Sequence, residues 1–146
     1  MKRFMFLTFL VLLIAATTTA KGMMDKIIII APDGNTLEVT DTTMTESLSM
    51  AALEIFPQSI DEPDGLGEGY VLKRQFKDGD SYQTFDVVLY YPAGNRGYVF
   101  YGGLVNGWSE YDGKWFEASE TGVKAMKKIV THIKLRYSLG QRVVLN

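Results

Sequence analysis

Few side chains in this sequence could do covalent or acid–base chemistry. Its 146 residues include one histidine and no cysteine. Without cysteine there is no thiol nucleophile, no cysteine-based zinc site and no iron–sulfur cluster. His132 is a general base or metal ligand in principle. One histidine alone does not make a conventional zinc centre, and helical phasing puts His132 at the edge of an apolar stripe. Serine catalysis needs a base and an oxyanion hole, and no Gly-x-Ser-x-Gly occurs. No glycine-rich phosphate cradle occurs either. Gly102-Gly103 lies inside an apolar run, where a bulge or a close backbone approach accounts for it. The acidic stretch from Gln58 to Gly69, with Asp61, Glu62, Asp64 and Glu68, lacks the alternating ligand spacing of a calcium loop and reads as solvated. Paired carboxylates such as Asp86 and Glu110 could hydrolyse glycosides. Asp86, however, stands on an apolar strand and must be paired or exposed, so an ion pair with Arg74 or Arg96 is expected. No catalytic residue, metal or cofactor is assigned.

Non-covalent recognition has more to work with. Trp108 and Trp115 lie beside turn signals, with Tyr111, Asn106 and Glu110 close by in sequence. Rings next to polar groups stack on sugars or anchor protein interfaces. A second candidate is a basic helix face carrying Lys124, Lys127, Lys128 and Lys134. It suits an anionic surface, lipid or lipopolysaccharide, or an acidic partner.

These residues need a scaffold, and the turns outline one. Ile27 to Ile30 and Thr36 to Thr40 flank Pro32-Asp33-Gly34-Asn35, a first hairpin. Thr43 to Phe56 reads as a helix capped by Thr42 or Thr43, with Glu46 closing a capping box. Its apolar stripe is Met44, Leu48, Ala51, Ala52 and Ile55, and Pro57 stops it. Tyr70 to Lys77, Tyr82 to Tyr91, Tyr98 to Val105 and Lys114 to Glu117 then form an antiparallel meander punctuated by glycine turns. Ser119 to Tyr137 is a second helix, with Ser119 or Thr121 as cap and Val123, Met126, Val130, Ile133 and Tyr137 as its stripe. Arg142 to Leu145 suggests a short edge strand. The meander strands are apolar on both faces. Phe85, Val87, Leu89 and Tyr91 oppose Val88 and Tyr90, whereas a half-buried strand shows one polar face. Either both faces are covered, or one awaits a partner.

The first residues specify export. Met1-Lys2-Arg3 is a cationic start, Phe4 to Ala16 an apolar core, and Thr17 to Ala20 a small-residue segment, with cleavage expected after Ala20. The apolar run is well short of the roughly 20 residues a membrane span needs. Removing Lys2 and Arg3 from 15 basic residues leaves 13 against 17 acidic ones. From Thr121 to Asn146 there are six basic residues and no acidic one.

The expectation is therefore a secretory leader over residues 1–20 and a single α+β domain over residues 21–146. Its order is ββα-ββββ-α, an antiparallel sheet of five or six strands with two helices packed on one face. The expected function is a non-enzymatic exported binding module that uses the aromatic sheet and its hairpins, in the bacterial periplasm or outside the cell. Its partner would be a protein, a glycan or a second copy. Nucleic acid is not expected of an exported acidic domain, and no transmembrane segment remains in the mature chain. The alternatives are a small carboxylate hydrolase of the cell envelope and a binder of anionic surfaces through the basic helix.

Overall fold

The computed structural model describes residues 24–49, 58–104 and 111–139. The expected leader, the C-terminal part of the expected first helix, the Asn106-Gly107 turn signal with Trp108 and Glu110, and the expected Arg142–Leu145 strand lie outside the described residues. Six strands form one antiparallel sheet: β1 (Lys26–Ile30), β2 (Thr36–Val39), β3 (Tyr70–Asp78), β4 (Ser81–Ala93), β5 (Arg96–Leu104) and β6 (Trp115–Glu117), in spatial order β2-β1-β3-β4-β5-β6. Two helices complete the domain, α1 (Thr42–Ser49) and α2 (Glu120–Ser138). The α+β architecture is the one the sequence predicts, with all six strands formed.

Turn chemistry sets the registers. Ala93 pairs with Arg96, so Gly94-Asn95 is a two-residue hairpin loop, and Gly94 takes φ 62°. That left-handed backbone matches the twist of the flanking strands and suits glycine. The pairings of β4 carry two irregularities, one bulge on β4 itself and one on β5. Register shifts at Arg74/Gln75 and at Val87/Val88, which leaves Phe85 and Gly102 as the extra residues. The expected bulge at the glycine pair is therefore present.

Both helices cover the same side of the sheet. That side presents Ile27, Ile29, Leu37, Val39, Leu72, Val88, Tyr90, Val99 and Phe116 to Leu48 of α1 and to Val123, Met126, Ile129 and Ile133 of α2. Burying each large apolar side chain contributes about 1.5–3 kcal/mol. The two helices are capped by different residue types. Ser119 Oγ accepts from Gly122 N at 3.1 Å and caps α2 as expected. For α1 the cap is Asp41, whose Oδ1 accepts from Met44 N at 2.9 Å. A helix that starts one residue earlier puts Met44, not Glu46, at the third position, so no Thr43–Glu46 capping box forms. Tyr137, expected in the buried stripe, is 41% exposed because the buried positions of α2 end at Ile133.

Three tyrosines of the covered face are held protonated. Burial pushes Tyr90 up to about 12 from the ordinary 10.0. Burial also raises Tyr70, helped by Asp33 and Glu68. It raises Tyr101 too, although Arg74 opposes it. A phenol whose folded pKa lies above its unfolded one gives its full stabilisation below the unfolded value and loses it as pH rises through the folded one. Denaturant melts should thus be pH-independent for these groups up to about pH 10, and Tyr90 alone should withdraw about 2 kcal/mol by about pH 12. Tyrosinate absorbance followed through the same series reads the ionisation directly. Unchanged stability at the alkaline end would show these phenols to be hydrated.

Candidate functional site

Among the described residues, no helix lies on the opposite face of the sheet. Its centre is a row of side chains in register across five strands: Ile30 opposite Val71, Val71 opposite Leu89, Leu89 opposite Phe100, and Phe100 opposite Trp115. At about 4.8 Å between strands the row spans roughly 19 Å. Every member is half-buried. Side chains on an open sheet face stand about 5 Å apart and shade one another, so partial exposure is the expected state of an uncovered face. Ile28, Lys73 and Val87 flank the row on one side, and Tyr91 and Tyr98 on the other.

The aromatic end is ordered by ring contacts. Trp115 lies 5.0 Å from Phe100 and 5.4 Å from Tyr91, both tilted by just over 40°. Such pairs contribute about 0.5–1.5 kcal/mol beyond area burial. Gly69 makes room for Tyr91, since a Cβ there would stand 2.6 Å from its Cε1. Ile60 N–H donates to Trp115 O at 2.9 Å on the free side of β6. The rim is charged. Lys26 meets Glu38 at 3.9 Å at the β1–β2 end, with its Nζ 4.0 Å from the centre of the Tyr82 ring. Arg96 meets Glu117 at 2.9 Å at the β5–β6 end. An apolar centre inside a charged rim is the anatomy of protein interfaces.

The covered face holds a different constellation. Asp86 is 0% exposed and Arg74 6%. Arg74 Nε donates to Asp86 Oδ1 at 2.6 Å, Arg74 Nη2 donates to Asp86 Oδ2, and Nη2 also donates to Tyr101 Oη at 2.9 Å. Burial alone would lower the Arg74 pKa; the bonded carboxylate and the phenol outweigh it and hold the guanidinium above its ordinary value. Beside the pair is a cavity of about 10 Å³ lined by Leu48, Val88, Tyr101 and Met126 among others. That is room for one water at most. A fork-bound carboxylate beneath two helices has no exposed surface, which is the arrangement of the expected ion pair with Arg74.

The remaining candidates are dispersed. Trp108, Asn106 and Glu110 lie outside the described residues. Tyr111 and Trp115 do not share a site: Tyr111 packs edge-on against Phe116 at 5.4 Å and beside Tyr101 at 5.9 Å, on the core side, while Trp115 faces outward. Lys124, Lys127, Lys128 and Lys134 come together on the exposed side of α2. His132 is half-buried, and its Nε2 meets no hydrogen-bond partner among the described residues. Desolvation, then Arg136, lowers its pKa. Among the described residues no three His, Asp or Glu side chains converge as metal ligands, and no described helix is long and apolar enough to cross a membrane.

Compared with protein-family models, characterised proteins and solved structures, the chain matches none. The members of the outer row other than Trp115 escape a reading based on turns. Their signal was the doubly apolar pattern of β4 and β5, which reveals a row only once the register is known.

Proposed function

We infer that this protein is a non-enzymatic exported interaction module whose working surface is the open sheet face. Its partner is a protein that presents apolar side chains, self-association being the simplest case. The observation that carries this reading is the row Ile30–Val71–Leu89–Phe100–Trp115, in register across five strands, with ion pairs at two opposite corners of the same face. A solvated sheet face would alternate to polar residues there. A protein suits the row better than a glycan. Among the described residues, Trp115 stands beside rings and aliphatic side chains, and sugar recognition needs polar groups there as well.

The test uses residues 21–146, which contain every described element. Lys73 already stands on this face beside Val87, so Leu89→Lys can run its stem along the surface and keep its charge in water. It should cost less than about 1 kcal/mol in denaturant melts, because only cross-strand contacts are lost. The unsubstituted domain should associate with rising concentration in sedimentation, and Leu89→Lys should not. In a Trp108→Phe background, Trp115 should be quenched by acrylamide in dilute protein and shielded on association. A Trp115 shielded at every dilution, with Leu89→Lys costing several kcal/mol, would mean that the face is covered within the chain, and the reading would fail.

A further inference from the structure

Helix α2 lies on the covered face, so its outward side is the back of the molecule relative to the open sheet. Lys124, Lys127, Lys128 and Lys134 are all exposed there. Two are already engaged, Lys124 with Glu120 at 2.7 Å and Lys127 with Asn95 Oδ1 at 3.1 Å. Lys128 and Lys134 form no ion pair among the described residues. Towards the end of the helix the same side turns apolar. Leu135 is 59% exposed, and Leu139 at the cap is 72% exposed. Leu135 follows Lys128 by two helical turns and precedes Leu139 by one, so the three fall on one line. Tyr137, 41% exposed, stands at the same end.

We propose that this side of α2 docks on an anionic lipid bilayer. The lysines lie over the headgroup phosphates, and Leu135 and Leu139 enter the headgroup–acyl boundary. Charge complementarity selects the occupant. Residues 121–146 hold six of the basic side chains and none of the 17 acidic ones, so an anionic surface pulls this end of the molecule towards itself and repels the rest. Lysine ammoniums on flexible stems are point charges, suited to a fluid layer of phosphates rather than to forked recognition of one group. The leucines project from a convex helix, which a soft interface accommodates without a preformed pocket. An acidic protein would need a preformed apolar patch placed to meet both leucines as well as the lysines, which a bilayer supplies without one. Docked this way, the molecule keeps its open sheet face turned to solvent, so both surfaces can be occupied at once.

Co-sedimentation of residues 21–146 with vesicles tests this. The apolar run before Lys21 is omitted because it would bind lipid by itself. Vesicles of phosphatidylcholine alone are compared with an equal mixture of phosphatidylcholine and phosphatidylglycerol. Binding is expected to the mixture only and should fall steeply with added salt. Lys128→Gln with Lys134→Gln should weaken it about thirty-fold. Leu135→Ser with Leu139→Ser should weaken it at least about tenfold. Both pairs are exposed, and unchanged thermal melts confirm that the fold survives. Equal binding to the neutral vesicles, no binding to the mixture at low salt, or sensitivity to only one of the two pairs would overturn the proposal. Leu89→Lys, on the other side of the molecule, should bind vesicles like the unsubstituted domain.

Discussion

Truncating Asp86 to alanine should cost about 3–5 kcal/mol, close to the whole stability of many small domains. The reason is asymmetric. With the carboxylate present, Arg74 is a satisfied ion between β3 and β4. Without it, a guanidinium that is 6% exposed stays in the core with its main counter-charge gone. The contribution of the intact pair is a separate matter, because desolvating two ions offsets most of their attraction. The double substitution Arg74→Met with Asp86→Leu should therefore recover most of the loss, since both side chains fit an apolar environment of similar volume. Denaturant melts of the singles and the double close the cycle. If Asp86→Ala costs less than about 1 kcal/mol, water reaches the pair, and its burial beneath the helices is wrong.

Phe116→Ala should be nearly as damaging, at about 3–5 kcal/mol. Phe116 is 1% exposed and meets Tyr101 at 5.9 Å and Tyr111 at 5.4 Å, both edge-on. It sits on a strand of three residues, which has little backbone pairing to hold it. Removing the ring takes away the inward attachment of β6, and the outward neighbour Trp115 loses its fixed place against Phe100 and Tyr91. Stability and the open face should thus fail together, with the Trp115 emission of a Trp108→Phe chain shifting to the red. Loss of stability with unchanged Trp115 emission would mean that the backbone alone positions β6.

The hairpins and a strand count of five or six were legible because short-range chemistry governs them: Asp78-Gly79-Asp80 and Gly94-Asn95 permit little except tight hairpins. The pairing of β1 with β3 was not, because helix α1 and a long loop separate them in sequence. The α2 helix was legible from its stripe and from Ser119. The start of α1 was not, because Asp41, Thr42 and Thr43 are all competent caps and only tertiary packing chooses among them. Nor was the covered face. On β4 both sides are apolar, and the one charge, Asp86, suggests the solvent side. The opposite holds because the register sets Arg74 directly across from it, a long-range fact that local pattern does not contain. The same limit applied to the site. Trp115 was visible as a ring beside a turn, but Ile30, Val71, Leu89 and Phe100 become one row only when five strands are aligned.

The two ends of the sheet bear on how the protein behaves at high concentration. Among the described residues they are β2, four residues long, and β6, three residues long, with the Trp115 carbonyl of β6 already taken by Ile60 N–H. A strand from another molecule could form only a few main-chain bonds at either border, too few to seed a growing ribbon. Among the described residues, outermost strands this short disfavour fibre growth in a chain rich in aromatic and β-branched residues. They favour association through side chains instead, where a single substitution should switch it off.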